Sequence, residues 1–290
     1  MSCVKVIDLP SKSFKPQVVV VGILNPDSLL SVRLSYSQRP DTLIKYQAIN
    51  EAKVLFYEDE NLIGELKQGR NGLFQLNYKP LSGKKYGLKI SVVNHDDIFA
   101  EDIVPPRPIA SIFKSPNNPN NPNSNPDYKL QIRSSLSSHY WIGAYSSVVY
   151  NIVTPDLLTF KFPSHLNLNI ISNNPYLDRF NSFFDGLSGR YNFGDPVRID
   201  MTTFRLEANA LIDFSTNNKI PRDQKGFIYV YSVSDNYDQY LKSAIMSYQN
   251  RLFDSSGAFN NPFAEPTPIY SNIKNGLGIW AAYSIGRLSI

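Results

Sequence analysis

The chain has 290 residues, 42% of them hydrophobic and 19% charged, with a net charge of +4 from 29 basic and 25 acidic side chains. That length holds one large or two medium domains with a real core. The small, scattered positive excess argues against a nucleic-acid binder, and no apolar run approaches the ~18 residues of a membrane-spanning helix.

The first feature in chain order is Cys3, the only cysteine. It cannot form an internal disulfide, and no second cysteine is available to share a zinc site. One reading makes it the lipid-bearing cysteine of a bacterial lipoprotein, with Met1 and Ser2 as the remnant of a truncated precursor. The other makes it an incidental thiol in a cytosolic protein. Residues 4–15 mix Lys, Ser and Pro with apolar residues and suit a tether.

From residue 16 onward, period-2 alternation predicts a mainly β chain. Val18–Val21 with Ile23 and Leu24 is strand-length. Val32, Leu34 and Tyr36 alternate with polar residues, as do Ala52, Val54 and Phe56, then Phe74, Leu76 and Tyr78, then Tyr86, Leu88, Ile90 and Val92. Turn chemistry at Asn25-Pro26-Asp27, Glu58 to Asn61, Asn71-Gly72 and Ser82-Gly83 bounds these runs. Spacings of about ten residues predict an Ig-like or transthyretin-like antiparallel sandwich over 16–104. The segments around Phe74 and Tyr86 are expected to be adjacent strands joined by a turn. Pro105, Pro106 and Pro108 cannot donate to a sheet ladder and mark a domain boundary.

A second β-rich domain is expected over 107–290. The Asn-Pro run at 116–126 has no apolar residue and is read as a long polar loop between a strand at Ile109–Phe113 and another through Tyr128, Leu130 and Ile132. Further strands are predicted at Tyr140–Tyr150, Leu158–Phe162, Leu166–Ile170, Val197–Met201 and Phe227–Val233. One helix is predicted over 234–252, with Ser234 as N-cap and Asp235 at the positive end of its dipole. Its apolar stripe is Tyr237, Leu241, Ile245, Tyr248 and Leu252, which predicts a helix packed on a sheet. A glycine-marked segment, Asn275-Gly276-Leu277-Gly278, leads into a last strand from Ile279.

Catalytic and metal motifs are scarce. His95, His139 and His165 are the three histidines, and none has metal-ligand spacing to another. His95-Asp96-Asp97 reads as a polar turn before it reads as a cation site. Gly186-Leu187-Ser188-Gly189 lacks the nucleophile-elbow spacing. Acids at Glu58, Asp59, Glu60, Asp96 and Asp97 fall in turns. No catalytic residue is assigned, and no metal or cofactor is expected. Trp141, Tyr145 and Tyr150, with Trp280 and Tyr283, form the densest aromatic groups. Trp141, Gly143 and Tyr145 share one strand face, Tyr140 and Ile142 the other, so one face of that strand is a candidate for exposed rings. Core packing is nevertheless the commoner use of each.

Four segments together resemble a family of Bacteroidota outer-membrane lipoproteins of unknown function, typically encoded beside SusC-like TonB-dependent transporters. They are Cys3-Val4-Lys5-Val6-Ile7-Asp8-Leu9, Gln17 to Ser37, Ala52 to Asn94, and Tyr237 to Gly278. The last is the most specific, running from an aromatic helix through Asn260-Asn261-Pro262-Phe263 and Ser271-Asn272-Ile273 to Gly276-Leu277-Gly278. The 116–126 loop departs from the family, and Asn181–Asn192 matches loosely. The resemblance implies a lipid on Cys3 and a protein at the outer membrane, anchored without crossing it and facing the cell exterior. It implies a TonB-dependent β-barrel partner, with this chain as docking or substrate-capturing subunit and not an enzyme. A free-standing surface binder of glycans or peptides is the alternative.

Overall fold

The computed structural model describes residues 14–38, 47–114, 127–133, 139–153, 159–168, 170–171, 191–192, 198–199, 204–207, 211–216, 225–249 and 267–290. Among them the chain is mainly β, with one helix. The strands of the N-terminal half are β1 (Val18–Leu24), β2 (Leu30–Tyr36), β3 (Lys53–Glu58), β4 (Asn61–Glu65), β5 (Lys67–Gln68), β6 (Leu73–Leu76), β7 (Lys85–Ser91) and β8 (Ile98–Ile103). Next come β9 (Ile109–Lys114), β10 (Asp127–Arg133), β11 (His139–Val153), β12 (Thr159–Leu168), β13 (Ile170–Ile171), β14 (Tyr191–Asn192) and β15 (Arg198–Ile199). The chain then forms β16 (Phe204–Glu207), β17 (Leu211–Thr216), β18 (Lys225–Val233), α1 (Asp235–Gln249) and β19 (Leu277–Ser289).

A nine-stranded sheet, β12-β11-β18-β19-β1-β2-β6-β5 with β16 also on β11, organises the molecule. Two of its central members, β18 and β19, are antiparallel, and β19 then runs parallel to β1, with Val20 opposite Gly278 and Gly22 opposite Trp280. Strand alternation sends the two sets of side chains to different cores. Trp280 and Ala282 of β19 face the sandwich core, closed by the sheet β4-β3-β7-β8 through Val54, Phe56, Tyr86, Leu88 and Ile90. Further along the same face, Ile228 and Val230 of β18 pack with Tyr128, Leu130 and Ile132 of the sheet β13-β17-β10-β9. The opposite face carries Ile279, Ala281 and Tyr283 against Tyr237, Leu241 and Ile245 of α1.

Several expectations are met element by element. Ser234 caps the helix, its Oγ accepting the Tyr237 N–H at 3.2 Å. Tyr237, Leu241 and Ile245 of the predicted stripe are buried, whereas the Tyr248 side chain and Leu252 lie outside the described residues. β9 and β10 are antiparallel neighbours flanking the Asn-Pro run, which itself lies outside the described residues. Residues 104–108, with their prolines, are in no strand. This segment is fastened to β19: Ser284 Oγ donates to the Pro105 carbonyl at 2.5 Å and Arg107 to the Ile285 carbonyl at 3.2 Å.

Two expectations are corrected. The strands around Phe74 and Tyr86 are not hydrogen-bonded neighbours: β6 pairs with β2 and β5, β7 with β3 and β8, so the chain crosses the sandwich between them. Alternation predicts which face a residue takes but not which strand lies beside it. The predicted strands at 158–162 and 166–170 are largely one strand, β12. Pro163, the apparent break, is tolerated because among the described residues β12 is an edge strand, paired only with β11.

Gly278 explains the glycine-marked approach to β19. Its φ is +108°, and a Cβ there would lie 2.0 Å from the Val20 carbonyl oxygen. Only glycine meets both demands. Gly278→Ala is expected to cost at least about 1–3 kcal/mol, measured as a lowered urea midpoint at unchanged slope.

Candidate functional site

The outer face of the β4-β3-β7-β8 sheet carries the site. Because Val54, Phe56, Tyr86, Leu88 and Ile90 turn inward, their neighbours Tyr57, Lys85, Gly87 and Lys89 turn outward. Register lines up Leu62, Tyr57, Gly87 and Glu101 across four strands, with Leu55, Lys89 and Phe99 in the next row. The glycine leaves a gap in this face. A groove of about 730 Å³ lies here, lined by Tyr57, Glu60, Gly87 and Phe99 among others. A Cβ built on Gly87 would meet only Tyr57 Cβ, at an ordinary 3.6 Å, so the gap is not forced by backbone strain or crowding.

Ion pairs frame the floor. Lys85 Nζ lies 2.8 Å from Glu101, and Lys89 Nζ lies 2.9 Å from Asp97 and 5.5 Å from the Phe99 ring centre. Hydrogen bonding to these acids raises both lysine pKa values; Ser91 and then Lys89 lower that of Asp97. All are solvent-facing, and such pairs add little stability.

The far wall is the chain entering β19. Lys274 and Phe99 exchange backbone hydrogen bonds at 2.9 and 3.2 Å, covering the edge of β8 there. Asn275 Nδ2 donates to the Asp97 carbonyl at 2.9 Å. Asn272 accepts the Trp280 N–H at 3.0 Å and donates to the Trp280 carbonyl at 2.7 Å. Asn272, Lys274 and Asn236 of α1 line the groove.

Behind that wall sits Asp102, 8% exposed. Its carboxylate accepts from Ser234 Oγ at 2.5 Å and Asn236 Nδ2 at 3.0 Å, so β8 supplies an acid to the positive end of α1. Asn236 is held in turn by the Tyr270 hydroxyl at 2.7 Å. Burial outweighs these hydrogen bonds and pushes the Asp102 carboxyl up to about 7.

The aromatics singled out in the sequence are elsewhere. Trp141 and Trp280 are fully buried, with Nε1 donating to Asp238 Oδ1 at 3.0 Å and to the Tyr86 carbonyl at 3.1 Å respectively. Tyr283 is buried against the Tyr237 and Tyr231 rings. Both faces of β11 at 140–142 are core, the commoner use of such rings and not the exposed face held as a candidate: β10 covers the Tyr140 side and α1 the Trp141 side. Side chains of Tyr145, Tyr150 and His165 lie outside the described residues, as do Cys3 and Gly186–Gly189.

The turn acids are engaged locally. Glu58 Oε2 accepts from Tyr86 Oη at 2.7 Å and from Tyr78 Oη; Asp59 pairs with Lys84 at 2.5 Å. Asp97 bonds Ser91 Oγ at 2.6 Å, and His95 lies beside the Tyr36 ring. Among the described residues no three His, Cys, Asp or Glu side chains cluster as metal ligands, and no helix is long and apolar enough to cross a membrane. Sequence reading missed the groove residues. The available signal was Gly87, a glycine between two lysines on the polar side of an otherwise regular strand.

The fold defines a mainly β module with one helix among the described residues. The chain belongs to the family described as a domain of unknown function (DUF4249), whose model matches residues 4–289. No curated protein matches it. Among solved structures it is similar to the Salmonella alpha-2-macroglobulin mutant Y1175G, at 10% identity and a TM-score of 0.22, over 78% of this chain and 14% of that one. The chain thus spans a small fraction of that protein's length.

Proposed function

We propose that this protein is a lipid-anchored, substrate-capturing subunit on the exterior of an outer membrane, working beside a TonB-dependent β-barrel transporter. Lipid on Cys3 would provide the anchor, and several acyl chains on one cysteine hold a protein stably at a bilayer. The groove over Gly87 carries the capture reading. It is concave, ringed by apolar and hydrogen-bonding side chains, and built on rigid strands. The partnership rests on the family resemblance of the leader and the C-terminal block. The activity is binding, without a catalytic residue or cofactor.

A second reading is a free-standing surface binder, which uses the same groove over Gly87 without a barrel partner. Affinity purification of the tagged protein from its native membrane separates the two. The expected result is a stoichiometric β-barrel together with acylated Cys3 by mass spectrometry. Lipidated protein recovered alone would favour the free-standing binder. Unmodified Cys3 in a soluble fraction would overturn both.

A further inference from the structure

We infer that the groove over Gly87 takes a neutral, hydroxyl-rich ligand, a saccharide, and not a charged polymer or an added β-strand. The inference rests on reading the groove as a binding site; it needs no transporter partner.

Charge balance is the first ground. The cations Lys85, Lys89 and Lys274 are matched by Glu60 and Glu101 in the groove and Asp97 at its rim. Two of the lysines are already paired. A polyanion would have to break those pairs, and a polycation would meet the same lysines. A sugar hydroxyl both donates and accepts, so it can bridge a lysine and its acid without separating them.

Shape is the second ground. The Tyr57 side chain stands directly across from Gly87 on the neighbouring strand, and Phe99, 39% exposed, occupies the next row. A flat glycine floor beside an aromatic ring lets a flat ligand lie close to the sheet. The C–H face of a pyranose fits against such a ring, with the hydroxyls at its rim left for polar partners. Asn236 and Asn272 spend their amide N–H groups on Asp102, the Trp280 carbonyl and the Glu101 carbonyl, so each is fixed in place with one lone pair of its Oδ1 left to accept from a hydroxyl. The third ground excludes an added strand at this wall, since Lys274 already pairs with the β8 edge at Phe99.

The test is a pull-down of the purified protein on immobilised neutral polysaccharides (a glucan, a mannan, a xylan and a galactan) and on polygalacturonate and dextran sulfate, at low and high salt. Retention on at least one neutral polymer, indifferent to salt, is expected. Gly87→Trp, which fills the floor, and Tyr57→Ala, which removes the ring, should each weaken it about tenfold or more. Gly87→Val serves where the tryptophan variant fails to fold. Salt-sensitive retention on the anionic polymers alone, abolished by Gly87→Trp, would overturn the ligand class while keeping the groove as a site. No retention, or retention unaffected by changes at Gly87 and Tyr57, would overturn the groove itself. Neither result bears on whether a barrel co-purifies.

Discussion

Replacing Trp280 with alanine is expected to cost about 3–5 kcal/mol of folding stability, read by urea denaturation. The indole is fully buried and faces Gly22, where a Cβ would lie 2.6 Å from its ring. The ring also packs edge-on to Phe56, centroids 6.1 Å apart. Glycine on one strand and tryptophan on its partner are therefore one packing unit, and truncation leaves a cavity that neither strand can close. The variant also removes the hydrogen bond from Nε1 to the Tyr86 carbonyl. Trp280→Phe keeps most of the volume and loses mainly that hydrogen bond, so it should cost much less. Equal losses in the two variants would mean that packing is not what holds β19 to the sandwich.

The second large effect is a pH dependence centred on Asp102. Its folded-state value of about 7 lies above the ordinary 3.8. The folded protein thus binds this proton more tightly than the unfolded chain does. The sign follows: the contribution is fully present below about pH 4 and is lost as pH rises towards about 7, on the order of 4 kcal/mol at most. Asp235, 3.3 Å from His139, and Glu101 also flank this end of the helix. The wild-type curve is therefore compared with that of Asp102→Asn, which removes this proton alone. The difference between the two unfolding free energies should change between pH 4 and pH 7, and a flat difference would contradict the assignment. Asp102→Ala leaves Ser234 and Asn236 without their acceptor and should be destabilised at every pH.

Local patterns were legible in the sequence because they follow from chain geometry. Val32 and Leu34, Val54 and Phe56, and Tyr86, Leu88 and Ile90 each alternate into the core as their spacing predicts. Ser234 caps α1 as its side-chain chemistry predicts. Partner choice was not legible, because a strand's periodicity is the same whichever neighbour it has. The parallel pairing of β1 with β19 and the crossing between β6 and β7 are therefore visible only in three dimensions. The double-sided burial of Trp141 and Tyr140 escaped for the same reason: two covering layers come from distant segments. The groove escaped because its residues come from β3, β7, β8, α1 and the entry to β19, and only Gly87 left a mark in one dimension.

The long reach of β19 bears on the order in which this protein can mature. Its residues complete the sandwich core and back the helix, and the Asn25–Tyr283 hydrogen bond alone spans 258 positions. β1 therefore keeps one flank unpaired until β19 reaches it. Contacts of such separation slow folding, since loop entropy is lost before any packing is gained. Until then the partly made sheet presents an open edge to other chains, the state in which β proteins aggregate most readily.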